Sequence, residues 1–150
     1  MTQIPRSALI LGLAGTIPFV WGVITLIFPS IGLSFAQTFG PRFVGPYVQL
    51  SYGTVILAFM SGVLWGFAAK ADRKAAIGYA LSVIPALYAF FFVGGGPYSA
   101  AIYLALGFTG LICLDQLFTH WGLTPQWWMN LRILLTALVV ACLITTVFLT

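Results

Sequence analysis

Charged side chains are nearly missing from this chain of 150 residues. Asp, Glu, Lys and Arg together make up 5% of the sequence, whereas hydrophobic residues make up 61%. A soluble globular domain carries about 25% charged residues, so this chain has too few of them to cover a surface in water. The mean hydropathy of +1.09 agrees with that conclusion. The sequence therefore predicts an integral membrane protein.

The residues that carry most catalytic and metal chemistry are also scarce. His120 is the sole histidine, and no second His or Cys lies at metal-binding or haem-binding spacing from it. The sequence contains no phosphate-binding loop, dinucleotide fingerprint or nucleophile elbow. We therefore expect a protein that is not an enzyme and that has no catalytic, metal-binding or cofactor-binding residue.

Five apolar stretches are long enough to cross a bilayer, which takes about 20 residues each. Glycine and proline separate them, as helix breakers do. Together they occupy nearly the whole chain, so residues 1–150 are predicted to form a single all-α domain, a polytopic bundle of five transmembrane helices. The expected spans cover residues 8–28, 48–69, 75–93, 99–117 and 131–150.

The two cysteines are not expected to form a disulfide. In this arrangement Cys113 lies about 7 Å and Cys142 about 16 Å inside the same membrane face, at 1.5 Å rise per residue. Bridged cysteines have Cα atoms about 4.4–6.8 Å apart. Two free, buried thiols are predicted.

The six basic residues indicate how the chain is oriented. They do not form the cluster on one face that nucleic-acid binding requires, so no nucleic-acid partner is expected. Lys and Arg in short loops mark the cytoplasmic side, which predicts a cytoplasmic N-terminus and a periplasmic C-terminus. In the five-span arrangement Arg42 falls on one side of the membrane and five residues fall on the other: Arg6, Lys70, Arg73, Lys74 and Arg132.

The longest loop follows the first span. Within it Ile31, Phe35 and Phe39 recur at helical spacing, which favours a short helix lying in the membrane interface. An irregular loop with aromatic plugs is the alternative.

Small residues recur at every fourth position in the second and third spans. Gly66 and Gly78 are equally far from Asp72 in the loop between these spans, so the two rows lie at matching depths. Small residues at this spacing let helix backbones approach closely in lipid. The alternative is that the GxxxG pattern from Gly62 to Gly66 mediates homodimerisation. We expect the two spans to touch along a seam formed by Ala58, Gly62, Gly66, Gly78, Ser82 and Ala86.

Pro18 and Pro85 lie near mid-membrane in the first and third spans. Each proline deprives the carbonyl four residues earlier of its helical N–H donor and tends to kink its helix. Broken helices at this depth can mark a transport site, but no polar cluster accompanies these two. We therefore predict kinks with a structural role.

Asp115 is the only acidic residue expected at membrane depth, about one turn inside the fourth span. A carboxylate there is costly unless it is paired. If Thr124 is the N-cap and Pro125 the first residue of the last helix, Arg132 lies about two turns in, at a similar depth. A bidentate ion pair that staples the last two helices is expected, with a proton or substrate relay as the alternative.

Several segments in different spans form a recognisable combination: LGLAGTIPF at 11–19, YGTVILAF at 52–59 with Gly62 and Trp65-Gly66, SVIP at 82–85, Leu131-Arg132 and Leu135-Thr136, together with Asp115. Taken together they resemble the transmembrane protein 69-like family (domain of unknown function 3429), whose uncharacterised members span the membrane five times. The resemblance covers most of the chain. It implies a five-span fold in bacterial or mitochondrial membranes and no agreed activity. Many relatives are expected to carry a polar or basic residue where Leu64 stands, and if that residue does chemistry in them, this chain lacks it.

The expected function is that of a non-enzymatic accessory subunit or assembly factor of a larger respiratory or photosynthetic membrane complex. The chain is small, lacks site chemistry and presents apolar helix faces to lipids and to integral membrane partners. No Arg- and Ser-rich transit peptide precedes the first span, so the bacterial inner membrane is the expected location. The alternative function is a small permease or proton-coupled carrier that uses Asp115 and the kinked helices. Lipid binding at the long loop is a third hypothesis, and assembly into a homo-oligomer is a further one.

A reporter fused after Thr150 tests the orientation. Because five basic residues share the predicted cytoplasmic side, alkaline phosphatase fused at the C-terminus should be exported and active. The same enzyme inserted between Lys70 and Lys74 should be inactive. An inactive C-terminal fusion would mean that the chain crosses the membrane a different number of times or in the opposite direction.

Overall fold

The computed structural model describes residues 3–150, and within that range it is helical and contains no strand. Two of the membrane spans are each made of two shorter helices, so the helices outnumber the spans. A short 3-10 helix, Pro41–Phe43, precedes the fourth α-helix. The α-helices are α1 Arg6–Ala14, α2 Ile17–Ile27, α3 Pro29–Phe39, α4 Gly45–Ala68, α5 Ala75–Ser82, α6 Ile84–Phe92, α7 Pro97–His120 and α8 Trp128–Leu149.

Five helical segments are long and apolar enough to cross a membrane, as predicted. Their ends differ from the expected ones by a few residues, because Pro46 and Pro97 lie in the first turns of α4 and α7. Proline suits the first turn, where no helical hydrogen bond is lost. The five spans are Arg6–Ile27, Gly45–Ala68, Ala75–Phe92, Pro97–His120 and Trp128–Leu149.

The core lies where α4 and α7 meet α2 and α8. Leu57 and Leu64 of α4 and Leu104 of α7 are fully buried there, and the ring of Phe19 meets the ring of Phe108 edge to face at 5.8 Å. Large apolar side chains also cover the outside: Phe148 is 85% exposed. An apolar surface of this kind is stable in hydrocarbon and not in water. The protein is therefore a multi-pass membrane protein.

Both spans that have a proline near mid-membrane are interrupted for one or two residues, and Gly15, Thr16 and Val83 at these positions keep right-handed helical backbone angles. Pro18 and Pro85 are each the second residue of a new helix, α2 and α6. A hydroxyl donates to a backbone carbonyl beside each interruption: Thr16 Oγ1 donates to the Leu13 carbonyl at 2.7 Å, and Ser82 Oγ donates to the Tyr79 carbonyl at 2.7 Å. Such side-chain bonds make breaks tolerable in membrane helices.

A neighbouring span secures the second break. The Ala86 N–H lies in the first turn of α6, where it has no acceptor within that helix, and it donates to Ser61 Oγ of α4 at 2.8 Å. The break at Val83 therefore holds the third span against the second one, which is a structural role for Pro85.

The loop after the first span contains the expected short helix, α3, and not an irregular loop. Phe35 packs on Trp21 of α2 with ring centroids 5.0 Å apart, and it also contacts Phe39 at 4.6 Å. The Trp21 indole N–H donates to the Phe43 carbonyl at 2.9 Å. These contacts fold the loop back onto the first span.

Both cysteines are free, as expected, but the prediction that both are buried is wrong. Cys113 is exposed and Cys142 is partly exposed. Depth in the membrane does not determine burial inside the bundle, because Cys113 faces outward from α7 toward the lipid.

The expected seam between the second and third spans is wrong on the α4 side. Ala58, Gly62 and Gly66 are all exposed, and no described atom would lie within 4 Å of a Cβ at either glycine. On the other side of the hairpin Gly78 and Ser82 are buried. The helices do touch, but α4 turns a different face to its neighbour.

The α4 face that meets the third span includes Ser61 and Ala68. A Cβ at Gly78 would lie 2.8 Å from Ala68 Cβ, so this glycine sets how closely α5 and α4 approach. Ala86 is partly buried, and its N–H makes the bond to Ser61.

Alanine at Gly78 and alanine at Gly66 should have opposite effects. Gly78→Ala forces α4 and α5 apart and is expected to cost about 1–3 kcal/mol of stability, as overpacking does. Gly66→Ala adds a methyl group in open space and gains helix propensity, so it should be neutral or slightly stabilising. Thermal unfolding in mild detergent measures both. Equal losses in the two variants would contradict the contact geometry.

Candidate functional site

Asp115 of α7 and Arg132 of α8 form an ion pair inside the bundle. Arg132 Nε lies 2.7 Å from Asp115 Oδ2, and the two side chains are 7% and 0% exposed. A pair so well shielded from solvent and lipid holds the last two helices together, because either charge alone would be costly there.

The pair is not bidentate, which corrects the expected geometry. The second carboxylate oxygen, Asp115 Oδ1, accepts a 2.9 Å hydrogen bond from the Trp128 indole N–H. Trp128 and Arg132 are four residues apart on α8 and therefore lie on the same helix face. Sequence reasoning missed this bond, although the four-residue spacing between Trp128 and Arg132 was a usable signal.

The loop between α7 and α8 is organised by hydroxyl groups, and Thr124 is not the N-cap that the sequence indicated. Helix α8 begins at Trp128 without a side-chain cap, so Arg132 lies about one turn inside it. Thr124 instead shares a 2.8 Å hydrogen bond with Thr119, whose hydroxyl also approaches the Asp115 carbonyl at 2.8 Å. The tight loop brings Trp128 back over Asp115.

Two polar atoms beside the ion pair have no hydrogen-bond partner among residues 3–150. They are Arg132 Nη2 and Thr136 Oγ1, and both are buried. Arg132 is 6% and Thr136 is 8% exposed. Buried polar groups are nearly always hydrogen-bonded, so two orphan atoms one helical turn apart need an explanation. Thr136 was not singled out as a site residue from the sequence.

The side chains of Arg132 and Thr136 line a cavity of about 400 Å³ between the first span and the rest of the bundle. Its mouth lies at the lipid-facing surface, since the lining residues Leu11 and Phe59 are 73% and 63% exposed. We call it the lateral cavity. Its further lining residues include Gly12, Gly15, Thr16, Tyr52, Ile56, Met60, Phe108, Leu135 and Val139.

A second polar cluster connects three spans in the other half of the bundle. Gln49 of α4 is fully buried; its Nε2 donates to the Phe19 carbonyl at 2.7 Å, and its Oε1 accepts from Thr146 Oγ1 at 2.6 Å. A Cβ at Gly22 would lie 2.6 Å from the Gln49 side chain. Every hydrogen-bonding group of this cluster faces a protein partner, so we assign it a structural role. Sequence reasoning missed it, although a glutamine inside an apolar run was a signal.

The polar residues of the ion pair, the lateral cavity and the Gln49 cluster can form hydrogen bonds and charge–charge interactions. Among residues 3–150 no group of three or more His, Cys, Asp or Glu residues is placed to hold a metal ion. Asp115 is occupied on both oxygens and does not line the lateral cavity. Arg132 and Thr136 line the cavity, and each carries a buried polar atom that has no partner among residues 3–150.

These features define the class: a five-span helical membrane protein with a buried ion pair and a cavity at its lipid-facing side. The profile of a family described as a protein of unknown function (DUF3429) matches residues 4–148. The chain belongs to this family, as the sequence resemblance indicated.

One relative is transmembrane protein 69 of the frog Xenopus tropicalis. The two sequences are 31% identical over 145 residues, which cover 93% of this chain and 53% of the frog protein. The chain therefore spans about half the length of that relative. No solved structure matches the chain.

Removing one member of the ion pair should be more harmful than removing both. Asp115→Ala leaves a guanidinium buried without its counter-ion and is expected to cost about 3–5 kcal/mol, whereas Asp115→Leu combined with Arg132→Met should recover much of that loss. Trp128→Phe removes one charge-assisted hydrogen bond and should cost about 1.5–3 kcal/mol. Thermal unfolding in detergent gives the order. An Asp115→Ala variant as stable as the unaltered protein would contradict the assignment of the pair as a staple.

Proposed function

We propose that this protein is a non-enzymatic accessory subunit or assembly and stabilising factor of a larger membrane complex of the respiratory or photosynthetic kind. The observation that carries the proposal is the outward face of α4, where Ala58, Gly62 and Gly66 are exposed at intervals of one turn. We call it the α4 small-residue face.

This face is suited to close contact with a helix from another molecule. Small residues let transmembrane helices approach closely, and that contact replaces the hydrophobic drive that is missing in lipid. Each helix-interior glycine costs about 0.8–1.0 kcal/mol relative to alanine. No described atom lies within 4 Å of the Cβ position of Gly62 or Gly66, so contacts inside the chain do not offset that cost. A helix from a partner protein, packed against this face, would offset the cost.

The proposal includes a location and an orientation. We propose the bacterial inner membrane, with the N-terminus in the cytoplasm and the C-terminus in the periplasm. The support is the uneven distribution of basic residues, five of which fall on the side that holds the loop from Lys70 to Lys74. Membrane lipids surround the remaining faces.

The second candidate function is a small permease or proton-coupled carrier. The broken spans at Pro18 and Pro85 and the lateral cavity favour it, since broken helices often line transport sites. Against it, both oxygens of Asp115 are bonded inside the bundle. Proton flux into liposomes that is lost in Asp115→Asn, with the amount of folded protein unchanged, would favour the carrier.

Photocrosslinking from α4 tests the accessory role. Val55 is 59% exposed and lies seven residues before Gly62, on the same side of the helix. A photoreactive amino acid in place of Val55 should form an adduct with another membrane protein in whole cells. Gly62→Leu should abolish the adduct, because a leucine fills the surface that the partner helix needs.

The matched control is Gly110→Leu on α7. Gly110 is also an exposed helical glycine whose Cβ position has no described atom within 4 Å. This variant should retain the adduct. An adduct only at twice the 16.2 kDa chain mass would identify a second copy of this chain and contradict the accessory role. Loss of the adduct in both variants, or no adduct at all, would also contradict it.

A further inference from the structure

We propose that the lateral cavity binds one amphipathic lipid of the surrounding membrane, and that Arg132 and Thr136 hold a carbonyl oxygen of that lipid. This inference does not depend on the accessory role, because the lateral cavity and the α4 small-residue face involve different sets of residues.

The polar end of the site is built from side chains that are more than nine-tenths buried. Arg132 Nη2 is a donor and Thr136 Oγ1 can donate as well, and neither has a partner among the described residues. An unpaired buried donor costs about 1–3 kcal/mol. After a small rotation of the two side chains, one acceptor in the cavity could accept a hydrogen bond from both atoms. It would then remove the cost of both unpaired donors. A carbonyl oxygen, with two lone pairs, can do this.

The charge of the site favours a carbonyl over a free anion. Asp115 lies 2.7 Å from Arg132 and already balances its charge. A phosphate or sulfate would bring uncompensated negative charge into a low-dielectric environment, which is costly. A neutral ester, amide or quinone carbonyl brings none.

The remainder of the cavity fits an apolar chain. Its volume of about 400 Å³ lies within the range of small-molecule sites. From Arg132 to Val139 the lining extends along α8 by about 10 Å, at 1.5 Å per residue. The charged group, Arg132, is nearer the start of α8, and nearer mid-membrane the lining is Phe108 and Val139 together with the hydroxyl-bearing Thr16 and Tyr52. This is the direction in which a lipid changes from polar to apolar within a leaflet.

Helix α1 makes entry from the lipid feasible. None of residues 6–14 is buried, so this helix packs only loosely over the cavity. Gly12 and Gly15 line the cavity from the α1 side, where larger side chains would narrow the entrance. A lipid can therefore enter sideways from the bilayer without crossing water.

The experiment measures which lipids remain with the purified full-length protein. The protein is extracted in mild detergent, and its lipids are quantified by mass spectrometry. Two probes then identify the source of the carbonyl: a fatty-acid ester with a photoreactive chain, and a prenylated benzoquinone with a photoreactive tail. One of these probes should label the lining residues of α1 or α8, with about one probe molecule attached per protein chain.

Two variants change the site, and a third variant serves as the control. Thr136→Val removes the orphan hydroxyl and should reduce retention of the labelled class about three- to tenfold, as loss of one hydrogen bond does. Ile56→Trp fills the cavity and should abolish labelling. Thr145→Val removes an exposed hydroxyl on the same helix that bonds Ala141 and should leave labelling unchanged.

The thermal stability of the Thr136→Val variant distinguishes lipid binding by the Thr136 hydroxyl from a purely structural role of that group. Because Thr136 Oγ1 has no partner within the described chain, Thr136→Val should unfold at the same or a higher temperature once lipid is removed. Labelling that is equal in Thr136→Val and Thr145→Val, or absent from the lining residues with both probes, would overturn the proposal. A Thr136→Val protein that is less stable and retains its lipid would also overturn it.

Discussion

A carboxylate inside hydrocarbon is the most costly group that this chain carries, and the way Asp115 is satisfied constrains everything around it. One oxygen faces the Arg132 guanidinium and the other faces the Trp128 indole. Both donors come from α8, one turn apart, so α8 must follow α7 with a fixed rotation and a fixed depth. The Thr119–Thr124 contact then closes the short loop between the two helices. A shift of either helix by one residue would separate the charges.

The same rule, that hydrocarbon supplies no hydrogen bonds, accounts for the other polar side chains in the core. Gln49 bonds to the first and the last span at once, and Ser61 receives the Ala86 N–H, which has no acceptor within α6. Gln49 thereby joins three spans, and Ser61 joins two. Arg132 Nη2 and Thr136 Oγ1 depart from the rule because they lie beside a cavity rather than beside a partner. This lack of a hydrogen-bond partner distinguishes a candidate binding position from a structural contact.

Sequence alone was sufficient to predict features that depend on how deep a residue lies in the membrane. It was insufficient for features that depend on how each helix is rotated about its own axis. The spans follow from apolar length, and the proximity of Asp115 and Arg132 follows from their matching depths. The seam failed because matching depth does not specify which face of a helix meets its neighbour. Gly62 follows Ser61 by one residue, which is about 100° around the helix, and that rotation separates the lipid-facing side from the packed one. Trp128 and Thr136 were missed for the same reason, since their roles depend on the direction of their side chains.

The break in the first span divides it into a fixed half and a loosely held half. Helix α2 is fixed by the Gln49 bond to Phe19 and by the Gly45 N–H, which donates to Thr25 at 2.7 Å. Helix α1 has no buried residue and lies over the lateral cavity. The interruption at Gly15 and Thr16 lies between these two helices. Pro18 therefore stands where the part of the span that is bonded to α4 meets the part that lies at the surface of the bundle beside the cavity.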